Sequence, residues 1–180
     1  MRFKEILGNG KLWSVVYEGD DVDVLSKTLS NWMDPAYLGL FFSENVDDLE
    51  RYFHITNINT AIFDTIADAA ALSCIILDID PTANLDELFR PLENSRIREM
   101  LLSREKAKGK RQHGHPSWLR IYAIKLNPSI YLVTGGAIKL TATMSEREHT
   151  KVELQRMDRV RRYLIENGIV DADGILDYNS

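Results

Sequence analysis

The stretch WLRIYAIKLNPSIYLVTGGAIKL (118–140) decides the fold of this chain. Its two outer runs are rich in β-branched and aromatic residues, and Asn127-Pro128-Ser129 between them is typical of a turn. The stretch therefore predicts an antiparallel hairpin. Alternation along the first strand places Arg120 and Tyr122 on one face of the hairpin, opposite Ile121.

A long helix is predicted to follow the hairpin. Ser145 and Glu148 have the spacing of a capping box, so we expect the helix to begin near Ser145. Asn167-Gly168 predicts its end. Between these signals an apolar stripe recurs at helical spacing: Leu154, Met157, Val160 and Leu164.

Gly135 and Gly136 lie inside the second strand of the hairpin. They lack the spacing of a dinucleotide-binding fingerprint, and the sequence has no phosphate-binding P-loop motif. We therefore expect the glycine pair to mark a bulge or a close approach of the backbone. No cofactor is expected.

The chain before the hairpin predicts mainly helices, with one short strand candidate at 12–17 that can pair into the same sheet. Residues 104–117 are basic and almost free of apolar side chains, which predicts a loop. The predicted fold is α+β, with N-terminal helices, a small antiparallel sheet and a long helix near the C-terminus. The predicted helices before the hairpin cover 21–32, 43–53, 61–78, 85–89 and 95–103.

Charge is divided unevenly along the chain. The net charge is −5, yet residues 1–103 hold 8 Lys and Arg against 18 Asp and Glu, while residues 104–180 hold 14 against 9. We interpret residues 1–180 as a single domain with an acidic, mainly helical part (1–84) and a basic hairpin-and-helix part (85–180). The basic part can attract polyanions, although a solvated surface is the simpler interpretation of any single charge.

The lengths of the apolar runs, the first residues and the number of cysteines indicate the cellular compartment and limit the possible metal sites. No run approaches the 18 or so apolar residues that span a bilayer, and the first residues do not begin a signal peptide, so we expect a cytoplasmic protein without membrane contact. The single Cys74 excludes an intramolecular disulfide and a cysteine-based zinc site. We expect no metal at His113 and His115, which we interpret instead as donors on the basic surface.

The basic segment before the hairpin is the main candidate for ligand binding. Lysine and arginine contact phosphates, while aromatic rings and guanidinium planes stack on bases, and both kinds of residue lie close together here. This mixture is suited to single-stranded RNA. The predicted RNA-binding residues are Lys108, Lys110, Arg111, His113 and His115.

The order of elements over 118–165 resembles the toxin fold of RelE/HigB-type toxin–antitoxin modules. The features that carry the resemblance are a strand with an Arg-Ile-Tyr core, a second strand ending in Gly136-Ala-Ile-Lys-Leu, a polar stretch and a helix containing glutamates. The resemblance implies an mRNA endonuclease that needs no metal, often acts on the ribosome and is neutralised by a small antitoxin. By position, Arg120 and Lys139 match the strand-borne basic residues of that family, and Tyr178 matches its C-terminal aromatic.

Two other functions stay open at the level of sequence. The first is a non-catalytic module that binds a protein partner through the acidic helical half. The second is an enzyme that acts on a small anionic substrate between the sheet and the N-terminal helices, which the sequence neither supports nor excludes.

Overall fold

The structure, a computed structural model, describes residues 1–92, 102, 104–108 and 113–179. In these residues the chain forms six strands and six α-helices, with short 3₁₀ turns at Leu85–Glu87 and Met144–Glu146. The strands are β1 (Arg2–Glu5), β2 (Leu12–Val16), β3 (Arg90–Pro91), β4 (Arg104–Lys108), β5 (Leu119–Asn127) and β6 (Ile130–Ile138). The helices are α1 (Val24–Trp32), α2 (Pro35–Glu44), α3 (Val46–Phe53), α4 (Ile58–Leu77), α5 (Glu148–Glu166) and α6 (Ala172–Asn179).

All six described strands form one mixed sheet in the order β1-β2-β6-β5-β4-β3. β2 pairs in parallel with β6, and the other neighbouring strands are antiparallel. The protein is thus α+β, but the layout predicted from the sequence is wrong. The sheet is neither small nor purely antiparallel, two strands precede the helices, and the short α6 follows the long α5 as the last helix.

The predicted loop at 104–117 is also wrong over its first residues, which form β4. This strand pairs with β5 from Arg104↔Ile124 to Lys108↔Arg120. Backbone hydrogen bonds stabilise its extended conformation, whereas its charged composition had indicated a loop. The predicted helix at 95–103 lies outside the described residues except for Leu102.

The hairpin that decides the fold is confirmed. β5 and β6 pair along their length and are joined at Pro128-Ser129, where Ser129 adopts a positive φ of 61°. The register shifts between Tyr122 and Ala123, which leaves Thr134 of β6 as the extra residue of a bulge directly before Gly135. The bulge predicted at the glycine pair is therefore confirmed.

The close approach predicted there is confirmed as well. A Cβ on Gly136 would lie 2.7 Å from Cγ2 of Thr28 and 3.0 Å from the carbonyl oxygen of Arg120. A Cβ on Gly135 would overlap the carboxylate of Glu153. Because Thr28 belongs to α1 and Glu153 to α5, these two helices pack on opposite faces of β6.

The long helix is present, but its start differs from the prediction. The capping box joins Thr143 and Glu146 at the preceding 3₁₀ turn, and α5 begins at Glu148 without a side-chain cap. The box thus lies two residues before the predicted pair. The end of the helix at Asn167 is confirmed, with Gly168 at φ +69°.

Helices α2, α3 and α4 gather around Trp118, which is fully buried directly before β5. The rings of Phe42 and Phe53 contact it edge-on, at centroid distances of 5.7 and 5.0 Å. Its indole Nε1 donates a hydrogen bond of 2.9 Å to Oγ1 of Thr65 in α4. By length and composition α4 is apolar enough to cross a membrane. Here it packs against α1 and α2 and buries Thr65 and Asp68, and 33 % of its apolar stretch is buried.

A basic cleft as the candidate functional site

Two neighbouring strands, and the residue that follows a third, present cations on the same face of the sheet. In the register of the sheet, Lys106 stands opposite Tyr122, and Lys108 stands opposite Arg120. Arg120 in turn pairs with Ala137, and Lys139 follows two residues later, directly after the end of β6. Since paired residues share a face and alternate residues return to it, the four basic side chains lie on one face.

These side chains line a cleft of about 420 Å³. β4 and β5 form its floor, the segment between β6 and α5 forms one wall, and Leu154 of α5 contributes to it. The cleft is lined by Leu92, Lys106, Lys108, Arg120, Tyr122, Lys139, Ala142, Thr143, Met144, Ser145 and Leu154.

The cations of the cleft are held by neutral backbone carbonyls. Nη1 of Arg120 donates to the carbonyl oxygens of Ser117 and Leu119 at 2.6 and 2.7 Å, and Nζ of Lys106 donates to that of Leu92 at 2.9 Å. Nζ of Lys139 donates to the carbonyl oxygens of Thr141 and Ala142 at 2.7 and 2.5 Å.

No carboxylate lies within ion-pair distance of a cation of the cleft in the described part of the chain, although the charge of Glu105 acts on Lys106 and that of Glu146 acts on Lys139 from further away. None of Lys106, Lys108, Arg120 and Lys139 forms an ion pair there with an aspartate or a glutamate. The charges are also close enough to affect each other. An anionic ligand would therefore not have to displace a carboxylate of the described residues from these cations.

The lowered pKa values of these cations show that burial and mutual repulsion disfavour their charged forms. Burial, followed by the charges of Lys108 and Arg120, lowers the pKa of Lys106. Burial, followed by the charges of Arg120 and Lys106, lowers the pKa of Lys139. Burial also lowers the pKa of Arg120. A bound anion would relieve this repulsion, since each cation would gain an opposite charge.

Tyr122 contributes a neutral donor to the same cleft. It is fully buried, and burial raises its pKa, so the hydroxyl keeps its proton at neutral pH. Within the described residues this hydroxyl has no hydrogen-bond partner. An unpaired buried hydroxyl is costly, so this part of the cleft wall is held at some expense of stability.

The structure brings together some of the residues predicted for the site. Arg120, Lys139 and Lys108 meet in the cleft, whereas Lys110 and Arg111 lie outside the described residues. The sequence-based site omitted Lys106. Its signal is the alternation of basic and other residues in REKAK (104–108), which is typical of a strand with one basic face.

His113, His115 and Tyr178 are turned elsewhere. The two histidines contact aspartates of α4. Tyr178 of α6 packs against Phe3 of β1, at a ring-centroid distance of 5.6 Å, and against Tyr163. Because β1 and β4 are separated by three strands, Tyr178 does not meet the cations of the cleft.

A second cavity, of about 240 Å³, lies where β6 extends beyond β2, between α1 and α5. Glu153 of α5 lines it and is 4 % exposed. Burial raises the pKa of Glu153 to about 7, although Arg156 donates a hydrogen bond of 2.6 Å to its Oε1. The other carboxylate oxygen has no hydrogen-bond partner among the described residues.

No protein-family model, curated protein or solved structure matches this chain.

Proposed function

We propose that this protein is a cytoplasmic RNA-binding protein that cleaves RNA in the basic cleft without a metal ion. The observation that carries the proposal is the convergence of four cations, from β4, β5 and the residue after β6, on a cleft in which none of them forms an ion pair with a carboxylate among the described residues. The resemblance of 118–165 to RelE/HigB-type toxins supports the same reading. A ribosome and a small antitoxin are the partners that this resemblance suggests.

RNA cleavage without a metal is chemically compatible with these side chains. The ribose 2′-hydroxyl can lose its proton to a water molecule, attack the adjacent phosphorus and expel the 5′-oxygen of the next nucleotide, which leaves a 2′,3′-cyclic phosphate. The protein must then stabilise negative charge on the phosphate and donate a proton to the leaving oxygen. Arg120 is suited to the first task, because a guanidinium keeps its charge and can donate two hydrogen bonds to a phosphate.

Lysines of the cleft are suited to the second task. Burial and neighbouring charges lower the pKa values of Lys106 and Lys139, so each is a stronger acid than a solvated lysine. Lys139 is the preferred donor in this proposal, because the resemblance also places a basic family residue at its position. Lys106 and Lys108 would hold the phosphates on either side of the cleavage site.

The test is cleavage of an mRNA by purified protein in EDTA, with and without ribosomes. We expect cleavage by the wild type and a loss of roughly 10²- to 10³-fold in rate for Arg120→Ala and for Lys139→Ala. The control is Arg162→Ala, which removes an exposed arginine on α5 outside the cleft lining. Wild-type protein that leaves mRNA intact under both conditions, or equal rates for all variants, would contradict the proposal.

A second candidate function is protein binding without catalysis through the acidic helical half. Two large apolar side chains favour it, since Phe63 of α4 is 72 % exposed and Leu40 of α2 is 64 % exposed. Co-expression with the product of a neighbouring reading frame tests this candidate. A stoichiometric complex that Phe63→Glu abolishes, and that Arg120→Ala and Lys139→Ala leave intact, would favour binding over cleavage.

A further inference from the structure

The second cavity, between α1 and α5, contains part of an open edge of the sheet. β2 pairs with β6 only as far as Val133, so in the described part of the chain the later residues of β6 have no strand beside them on that side. Gly136, Ala137 and Ile138 of this open stretch line the cavity. An unpaired strand edge presents backbone donors and acceptors to which another chain can pair.

The hydrogen bonds of the hairpin show which backbone groups of β6 point to the open edge. The N–H of Lys139 donates to the carbonyl oxygen of Trp118 at 2.8 Å, and the register continues from this pair to Arg120↔Ala137. In an antiparallel pair, alternate residues bond to the neighbouring strand, and the residues between them point away from it. The N–H and C=O of Gly136 therefore point away from β5, to the side that β2 leaves open.

Side chains already bond to the carbonyl groups on either side of Gly136. The hydroxyl of Tyr17 donates to the carbonyl oxygen of Thr134 at 2.6 Å. Nε2 of His149 donates to that of Ile138 at 2.9 Å, because a carbonyl oxygen can only accept. At this edge neither the N–H nor the C=O of Gly136 has a hydrogen-bond partner among the described residues. One donor and one acceptor thus stay available between two occupied carbonyls.

The charges of the cavity favour a neutral ligand. Nζ of Lys27 is 2.8 Å from Oδ1 of Asp20, and Nη1 of Arg156 is 2.6 Å from Oε1 of Glu153. All four side chains line the cavity, so an anion would have to compete with these carboxyl groups. The aromatic residues of the wall are Trp32, Tyr37 and Phe41. A peptide suits this lining, because it brings neutral amide groups together with apolar side chains.

We propose that this edge binds an extended peptide segment of a partner protein, which adds to the sheet beside β6 and in line with β2. The peptide backbone would accept a hydrogen bond from the N–H of Gly136 and donate one to its C=O, as in other cases of strand addition. Because side chains alternate along a strand, those on one face of the peptide would meet the aromatic wall. No residue that lines this cavity lines the basic cleft, so the interaction is independent of RNA cleavage.

The test starts from a phage-displayed library of random heptapeptides, selected on the purified full chain. The affinity of an enriched peptide is then measured by fluorescence anisotropy for the wild type and two variants. Asn31→Trp places an indole in the cavity, since Asn31 lines it, and should weaken binding roughly tenfold or more. The control is Ser30→Trp, which changes the exposed neighbour of Asn31 on α1 outside the lining and should bind as the wild type does.

Two further measurements distinguish backbone pairing at β6 from binding elsewhere. Hydrogen exchange followed by NMR should become slower in the complex at the amides of Gly136 and Ile138, which point to the open edge. Methylation of the peptide nitrogens, one residue at a time, should weaken binding roughly tenfold at alternate positions and leave it unchanged between them. This series uses only the wild-type protein, so it decides the question even if Asn31→Trp does not fold.

The proposal is overturned if the library yields no enriched peptide. It is also overturned if the bound peptide slows exchange in β1 or β3, at the outer edges of the sheet, and not in β6. Equal effects of N-methylation at every position, or equal affinities for the wild type and a folded Asn31→Trp, would overturn it as well.

Discussion

Replacing Glu153 with glutamine should remove a pH dependence from the stability of this protein. Glu153 is 4 % exposed, and burial raises its pKa from 4.5 to about 7. Arg156 donates to one carboxylate oxygen and lowers the pKa, but burial outweighs it. The neighbouring phenols of Tyr17 and Tyr37 have pKa values that burial and the charge of Glu153 raise, so both are neutral around pH 7.

The direction of the effect follows from proton binding. Between pH 4.5 and 7 the folded protein keeps the proton of Glu153, whereas the unfolded chain has released it. The stabilising contribution of this group is therefore complete below pH 4.5 and is lost as the pH rises to about 7. At about 1.4 kcal/mol per pH unit, the interval between the two pKa values corresponds to roughly 3 kcal/mol in the free energy of unfolding.

The assay is urea denaturation of the wild type and of Glu153→Gln at closely spaced pH values from 4 to 8. The wild type should lose roughly 3 kcal/mol relative to the variant over this range, because glutamine stays neutral throughout. Glu148→Gln is the control, since Glu148 lies on the same helix with its side chain 79 % exposed. If the free energy of unfolding changes with pH in parallel for the wild type and Glu153→Gln, Glu153 does not keep its proton in the folded protein. If the wild type instead gains stability relative to the variant as the pH rises, Arg156 stabilises the ionised form.

Three further outcomes are expected. Gly136→Ala should cost about 1–3 kcal/mol in urea denaturation, because its Cβ would press on Thr28 and on the backbone of β5, whereas Gly39→Ala in α2, whose Cβ meets only Ile62 at 3.9 Å, should cost nothing. Asp48→Asn should reduce the loss of stability below pH 3.8, because hydrogen bonds from Arg147 hold the pKa of Asp48 low, and unchanged acid melting would contradict this. Single-stranded RNA affinity should fall with salt at a log–log slope of up to about −3 if all four cations of the cleft contact phosphates, and a slope near zero in a filter-binding titration would exclude them.

The hairpin and the end of α5 could be predicted because their signals are local. A turn between two β-branched runs, and an Asn-Gly pair after a helical stripe, act within a few residues of each other. The start of α5 was misplaced because two overlapping pairs, Thr143–Glu146 and Ser145–Glu148, both fit the pattern of a capping box. Only the folded structure shows that the pair Thr143–Glu146 forms the capping box.

Strands β1 and β4 could not be recognised from composition. RFKE and REKAK are short and charged, and β1 lies at the edge of the sheet. Edge strands commonly carry charge. Their extended form depends on backbone pairing with partners far along the chain, as for Lys108 with Arg120.

Part of the candidate site could not be predicted either, because its residues are far apart in the sequence. Lys106 reaches the cleft only because β4 pairs with β5, whereas Arg120 and Lys139 were predicted from their positions in the hairpin that resembles RelE/HigB-type toxins. The contacts of His115 with Asp64 join residues 51 positions apart, which no spacing rule could anticipate.

The parallel pairing of β2 with β6 has a consequence for how the chain acquires its structure. Trp13 stands beside Leu132, so the second strand cannot complete its hydrogen bonds until more than two-thirds of the sequence has been synthesised. Contacts of such long range slow folding, because the closure of a large loop must come before any gain from pairing. Before the β5–β6 hairpin has been synthesised, the apolar side of β2 and the helices that cover it have no hairpin to pack against. We expect a nascent chain that ends before residue 130 to need protection from aggregation. We also expect the earlier residues to pack only after the hairpin is complete.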